Sequence, residues 1–196
     1  MTEILQSALR LVYGRRVFLT RSGSAVLSAA AIGLLTGRKG SASEQKAGDS
    51  AANDVSILNT ALAGEYEAAA AYEAAIESRL LQKAVLSLAR QFEGQHSAHA
   101  GLLLATVQKL GGKPAEPKTS ADYKFPIEKM KTQTDVLRFA VGLEKGAVSA
   151  YLGAVPLLGD RDLAKAAASI LGDEAMHLAI LRQALGENPA PEPFVS

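Results

Sequence analysis

The sequence contains two Glu-x-x-His pairs, Glu93 with His96 and Glu174 with His177. Residues three positions apart lie on the same face of an α-helix, so each pair would place a carboxylate beside an imidazole. Carboxylate and imidazole groups are common ligands of iron, manganese and zinc. One such pair is usually part of a solvated helix face, but two of them in one short chain indicate a shared metal site.

Two further glutamates, Glu65 and Glu144, lie in the apolar seams of two other predicted helices. If the first hairpin turns near residue 79, Glu65 and Glu93 both lie about 21 Å from that turn, at about 1.5 Å per residue. Glu144 and Glu174 are likewise equally far from a turn near Gly159. The four glutamates are therefore expected at one level of the molecule.

The two halves of the chain also repeat each other. Glu65 and Tyr72 recur 79 positions later as Glu144 and Tyr151, and the two Glu-x-x-His pairs lie 81 positions apart. This repetition predicts a site with pseudo-twofold symmetry.

Four carboxylates buried together need compensation, because burying an unpaired charge is very unfavourable. Left alone they would have raised pKa values, and the metal-free protein would lose stability as the pH rises. Two divalent ions would supply four positive charges, and the chain has no cysteine, so the ligands must be oxygen and nitrogen atoms. The alternative is a buried cluster of hydrogen-bonded polar groups without metal.

The elements that must position these residues are four amphipathic helices. Apolar residues recur at spacings of three and four over residues 54–78, 80–110, 134–158 and 160–185. Gly111 and Gly112 would end the second helix, and three prolines prevent one helix over residues 113–131. Pro156 predicts a bend near the end of the third helix.

The predicted fold is an all-α, antiparallel four-helix bundle over residues 54–186, with two hairpins joined by one long crossover. A proline-rich tail, residues 187–196, follows the bundle.

The first 42 residues resemble a twin-arginine export signal. Arg15 and Arg16 precede the apolar stretch 25–35, and Ala42 is the expected cleavage position. An apolar stretch of this length is too short for a permanent membrane span, which needs about 20 residues. Residues 43–53 are predicted to be a flexible linker. We therefore expect an exported, periplasmic protein; a disordered basic tail is the alternative for this segment.

Glu65, Glu93-Gly-Gln-His96, Glu144 and Glu174-Ala-Met-His177 resemble the ligand set of the ferritin-like di-iron carboxylate proteins, which include bacterioferritins, rubrerythrins and dimanganese catalases. The resemblance implies that Glu93 and Glu174 bridge two metal ions, while Glu65 and Glu144 each bind one ion. It also implies that His96 and His177 each donate nitrogen to one ion. Iron is the first expectation for both ions and manganese the second. The Cys-x-x-Cys module of many rubrerythrins is missing.

Four residues are expected to lie beside the site. Tyr72 and Tyr151 are expected to be core tyrosines, with hydrogen-bond partners of the ligands or redox-active phenols as the alternatives. His99 is expected to be a partly exposed helix residue, with a role beside the metal or on its entry route as the alternative. Asp173 could accept the outer ring N–H of a ligand histidine from another helix.

The functional prediction is an oxidoreductase that reacts with O2 or peroxide, as a ferroxidase or a peroxide scavenger. Its partners would be that oxidant or Fe(II), and no catalytic residue or organic cofactor is expected beyond the metal ligands. A non-enzymatic metal-binding or stress protein and an iron-storage subunit are the alternatives. The net charge of +1 gives no indication of a nucleic acid partner, and the sequence is compatible with a homo-oligomer.

Overall fold

The computed structural model of the protein describes residues 47–195. The predicted signal peptide, with Arg15 and Arg16, lies outside the described residues, and so does the first part of the predicted linker. Within residues 47–195, no helix has both the length and the apolar character that crossing a membrane requires.

Four long helices form a bundle, and a short helix lies in the crossover. In chain order they are α1 (Ala47–Glu77), α2 (Lys83–Lys109), α3 (Ser120–Tyr123), α4 (Gln133–Ala154) and α5 (Arg161–Ala184). α1 packs along α2 and α4 packs along α5, while α1 also contacts α4 and α2 contacts α5. The described residues contain no strand. The predicted all-α bundle of two hairpins and one long crossover is confirmed.

Two helix ends differ from the sequence prediction. The described part of α1 already includes Ala47, seven residues before the predicted start at Asp54. Much of the predicted linker is therefore helical. α4 ends at Ala154 and is followed by a 3-10 turn, Val155–Leu157, where a bend in a continuing helix was expected. Pro156 has no N–H to continue the hydrogen bonds of an α-helix, so the helix stops instead of bending.

Local sequence explains the other helix ends. The Thr132 side chain accepts the backbone N–H of Asp135, whose carboxylate in turn accepts the backbone N–H of Thr132, so a capping box starts α4. At the start of α5 the Asp160 carboxylate accepts the backbone N–H of Leu163 at 3.1 Å. Gly111, with φ of 77°, ends α2 in the left-handed region that favours glycine.

Two polar side chains of α1 hold distant loops. The buried Asp54 carboxylate accepts the backbone N–H of Gly159 at 2.8 Å and of Asp160 at 3.1 Å, both in the α4–α5 turn. Asn59 donates from Nδ2 to the carbonyl oxygen of Lys113 at 2.9 Å, which fixes the start of the crossover. α1 is therefore attached to both halves of the bundle outside the core.

The core consists of two apolar layers with a polar layer between them. One apolar layer includes Leu58, Leu62, Leu103, Val107 and Ile170. The other includes Tyr72, Phe92, Leu137 and Leu181. On each long helix, the residues between these two layers carry buried carboxylates or imidazoles, and these form the candidate site.

Candidate metal centre

Six ionisable side chains from all four long helices meet in the polar layer. Five of them are at most 3% exposed, and the sixth, His99, has a side chain that is 15% exposed. They are Glu65 of α1, His96 and His99 of α2, Glu144 of α4, and Glu174 and His177 of α5. Such a concentration of ionisable groups in a core demands either mutual pairing or a bound ion.

The six residues form two overlapping groups of four. In each group, one ligand atom per residue can be chosen so that the atoms lie within 4.8 Å of one another. His96 and Glu174 belong to both groups. We call the group that adds Glu65 and His99 the outer position, because it contains the partly exposed His99. The group that adds Glu144 and His177 is the inner position, and all of its residues are buried.

Five buried ligand atoms of this cluster have no hydrogen-bond partner. They are Nδ1 of His99, Nδ1 of His177, Oε2 of Glu144 and both carboxylate oxygens of Glu174. Buried polar atoms are rarely left unpaired, since each one costs roughly 1–3 kcal/mol. Their chemistry and convergence fit one or more metal ions bound by oxygen and imidazole nitrogen.

In two of the histidines, the ring nitrogen Nε2 points away from the centre and lies close to a hydrogen-bond acceptor. Nε2 of His177 lies 3.0 Å from Oε1 of Gln95, and Nε2 of His99 lies 3.3 Å from Oδ2 of Asp173. A proton held on Nε2 by these oxygens leaves the lone pair of Nδ1 free. In the neutral form of each ring, which is the form that binds a metal ion, Nδ1 then presents its lone pair to the centre. Gln95 was not expected to take part; it precedes His96 in the sequence and carries no signal of its own.

Two tyrosines donate hydrogen bonds to Glu65 and Glu144, the glutamates expected to bind one ion each, which we call the terminal glutamates. Both bonds cross the interface between the two hairpins. The Tyr72 hydroxyl of α1 donates to Oε1 of Glu144 on α4. The Tyr151 hydroxyl of α4 donates to Oε1 of Glu65 on α1 at 2.5 Å. Burial raises the pKa of both phenols well above 10, so they remain hydrogen-bond donors. This exchange has the pseudo-twofold symmetry that the sequence repeat predicts.

His96 lies between the same two glutamates. Its Nδ1 is 2.8 Å from Oε2 of Glu65, and its Nε2 is 3.3 Å from Oε1 of Glu144. Burial alone lowers the pKa of His96, but the bonds with Glu144 and Glu65 outweigh it and raise the pKa to about 11. Without a metal ion, His96 is therefore a cation that joins two carboxylates.

The other ionisable groups follow the same pattern. Burial lowers the pKa of His99 and of His177, but nearby carboxylates outweigh it and raise both values to about 9. Burial raises the pKa of Glu65 and of Glu144, but hydrogen bonds with histidines outweigh it and hold both values below the usual range. The expectation of raised glutamate pKa values is therefore wrong for these two, since each carboxylate has a cationic partner.

Glu93 is the one predicted ligand that lies outside the cluster. Its side chain is partly exposed and accepts a hydrogen bond from the Ser97 hydroxyl at 3.1 Å. Phe92 occupies the seam instead, where it is 1% exposed and its ring stacks on His177 with centroids 3.9 Å apart. α2 thus contributes His96 and His99 to the cluster, and the centre has three carboxylates instead of four.

The signal for His99 is present in the sequence repeat. His96-x-x-His99 precedes Glu174-x-x-His177 by 78 positions, close to the 79 positions that separate Glu65 from Glu144. The offset of 81 used for the Glu-x-x-His pairs fits that register less well. A consistent offset would have aligned His99, rather than His96, with His177.

Comparison with known proteins agrees with this architecture. A family model described as a ferritin-like domain matches residues 53–187. A solved structure of a conserved hypothetical protein from Mycobacterium tuberculosis shares the fold, with a TM-score of 0.62 and 23% sequence identity over 74% of this chain and 99% of that one. A search of curated proteins gives no significant match. Since the family match includes the polar centre and nearly all of the four long helices, this chain belongs to the ferritin-like domain family.

Proposed function

We propose that this chain is a metal-binding ferritin-like protein whose centre, loaded with iron or manganese, reacts with O2 or peroxide. One observation carries the proposal: five buried carboxylate and imidazole atoms converge at distances of 3.2 Å to 3.7 Å from one another, and none of them forms a hydrogen bond. A hydrogen-bonded polar cluster would be expected to use these atoms itself. A bound redox-active metal ion would supply the electrons for reducing the oxidant.

The residues of the chain have distinct tasks in this proposal. Glu174 presents one free oxygen toward each position, so it is suited to bridging. Tyr72 and Tyr151 each hold one oxygen of a terminal glutamate and fix the orientation of that carboxylate. The surrounding apolar layers exclude bulk water, which strengthens the electrostatic interactions of the site.

The test is to purify the full chain anaerobically and to measure bound metal by elemental analysis, before and after incubation with Fe(II) or Mn(II). Consumption of O2 or peroxide by the loaded protein then measures activity. Glu174→Gln should lose most of the metal and the activity, because an amide replaces the charged oxygens that both positions share. Glu93→Gln is the matched control and should retain both, because Glu93 lies outside the cluster.

If Glu93→Gln loses metal as completely as Glu174→Gln, the assignment of ligands described above is incorrect. If the wild-type protein takes up neither iron nor manganese, the proposed function is incorrect.

A second candidate function is non-enzymatic, and the charge balance of the cluster favours it. Three protonated histidines would pair with the carboxylates of Glu65, Glu144 and Glu174, and Asp173 lies 3.3 Å from His99, so the cluster can pair its charges without a metal ion. A protein of this kind would bind metal reversibly, or hold the bundle together through the polar layer itself. Oxidation of bound Fe(II) once per site, without further turnover, would favour it over the oxidoreductase.

A further inference from the structure

α2 and α5 carry different residue types at positions that the internal repeat makes equivalent. The internal repeat aligns His96 with Glu174 and His99 with His177, at an offset of 78 positions in both cases. The tyrosine bonds to Glu144 and Glu65 obey the same symmetry. At the centre of the site, an imidazole on one hairpin therefore faces a carboxylate on the other.

A carboxylate can serve both metal positions at once. Oε1 of Glu174 lies 3.2 Å from Nδ1 of His99 in the outer position, and Oε2 lies 3.7 Å from Nδ1 of His177 in the inner position. Both oxygens are free of other partners. Glu174 can therefore be shared without loss to either position.

A neutral imidazole cannot be shared in this way, because it has one lone pair and one N–H. Nδ1 of His96 faces Glu65 of the outer position, and Nε2 faces Glu144 of the inner position. Whichever nitrogen binds a metal ion, the other nitrogen must keep the proton and donate it to the opposite glutamate. That hydrogen bond also occupies an oxygen of the glutamate that receives it.

We infer that His96 makes the two metal positions unequal, so that the inner position binds one ion tightly and the outer position binds a second ion more weakly. This inference rests on the proposed function. For a neutral His96 we assign the proton to Nδ1, which lies 2.8 Å from Glu65, and the lone pair to Nε2, which lies 3.3 Å from Glu144. The inner position then has four ligand residues, His96, Glu144, Glu174 and His177. The outer position has three.

Burial supports the same order. All four residues of the inner position are buried, whereas the outer position includes His99, whose side chain is 15% exposed. Water competes more effectively for an ion at a partly exposed site. The missing ligand and the exposure both weaken the outer position.

The test is anaerobic titration of the full chain with Co(II), followed by visible absorption and equilibrium dialysis. The wild type should bind one Co(II) tightly per chain and a second ion more weakly by at least about tenfold, since the loss of even an outer hydrogen-bond partner of a ligand typically lowers metal affinity by about 10–100-fold. His99→Ala should remove the weak ion and keep the tight one, and His177→Ala should reduce the tight affinity by at least about tenfold.

His96→Glu tests the central residue directly, because a glutamate there could bridge two ions in the way proposed for Glu174. This variant should bind two Co(II) ions of similar affinity. If circular dichroism shows that it does not fold, the comparison of His99→Ala with His177→Ala decides the matter in the wild-type background.

Two equally tight ions in the wild type, or a stronger loss of the tight ion in His99→Ala than in His177→Ala, would overturn the inference while leaving the proposed function intact. A wild-type protein that binds no Co(II), Fe(II) or Mn(II) would overturn the proposed function itself.

Discussion

Raising the pH of the metal-free protein from 6.5 to 9 removes protons that hold the polar layer together. The chain has three histidines and no cysteine, and all three histidines lie in the cluster. Their ordinary pKa of 6.5 rises to about 9 for His99 and His177 and to about 11 for His96. A group whose pKa is higher in the folded state stabilises that state fully below its unfolded pKa and loses the contribution as the pH passes the folded value. The free energy of unfolding should therefore decrease between pH 6.5 and 9.

The size of the decrease follows from His177, whose side chain is 2% exposed. Since one pKa unit corresponds to about 1.4 kcal/mol, its shift from 6.5 to about 9 represents a loss of roughly 3 kcal/mol by pH 9. The histidines share the same carboxylates, so their contributions do not add, and we expect roughly 3 kcal/mol in total. For a bundle of this size that corresponds to a decrease in Tm of roughly 10 °C.

Thermal unfolding followed by circular dichroism, in the presence of a chelator at pH 6.5, 7.5 and 9, measures this effect. The control is the same protein loaded with Mn(II) under argon. Metal ions bind the deprotonated ligands, so the loaded protein should keep or gain stability over the same range. If the Tm of the chelated protein stays level or increases between pH 6.5 and 9, the proposed pairing of protonated histidines with carboxylates is refuted.

Three further predictions concern single sites. Tyr151→Phe should lower the free energy of unfolding by about 1.5–3 kcal/mol in chemical denaturation, because the buried Glu65 carboxylate loses a hydrogen bond. Tyr66→Phe, which lies outside the cluster, is the control and should change this free energy little. Equal effects of the two substitutions would contradict the role of the Tyr151 hydroxyl. Gly101→Ala should raise the free energy of unfolding by about 0.5–1 kcal/mol in the same assay, because Gly101 lies inside α2 and an added Cβ atom would meet open space. A decrease in stability would show that this surface of α2 is occupied. Replacing Arg15 and Arg16 with lysine should retain the protein in the cytoplasm in a cell-fractionation assay, and unchanged export would contradict the twin-arginine interpretation.

The sequence was sufficient to predict the bundle because periodicity, glycine stops and prolines act locally. The spacing of apolar residues identified all four long helices, and the short turns between them left few alternatives to two hairpins. Glu65, Glu144 and Glu174 were found for a related reason: each interrupts an apolar seam, and a carboxylate there must be buried.

The choice between Glu93 and His99 could not be made from spacing alone. Successive residues of an α-helix are rotated by about 100°, so the residues three before and three after His96 lie about 60° to either side of it. One of these flanks turns toward the centre and the other toward solvent, and the packing of α2 against its neighbours decides which. The large Phe92 side chain fills the seam beside Glu93, which turns Glu93 outward.

The role of the Asp54 carboxylate could not be predicted from the sequence, which indicated only that a helix starts near this residue. A carboxylate that receives backbone N–H groups more than 100 positions away leaves no periodic signal, because its partners belong to a turn and not to a repeating face.

The Asp54 contacts have a consequence for how the bundle opens. Amide protons in a tight turn normally exchange quickly with solvent, because small local motions expose them. Those of Gly159 and Asp160 are bonded to a carboxylate on the other hairpin, so they exchange only when α1 moves away from the α4–α5 turn. Asn53 strengthens the attachment by donating to the carbonyl oxygen of Leu157 at 3.2 Å. Hydrogen exchange at two loop amides thus reports the separation of the two hairpins, the motion by which a closed bundle would admit or release an ion.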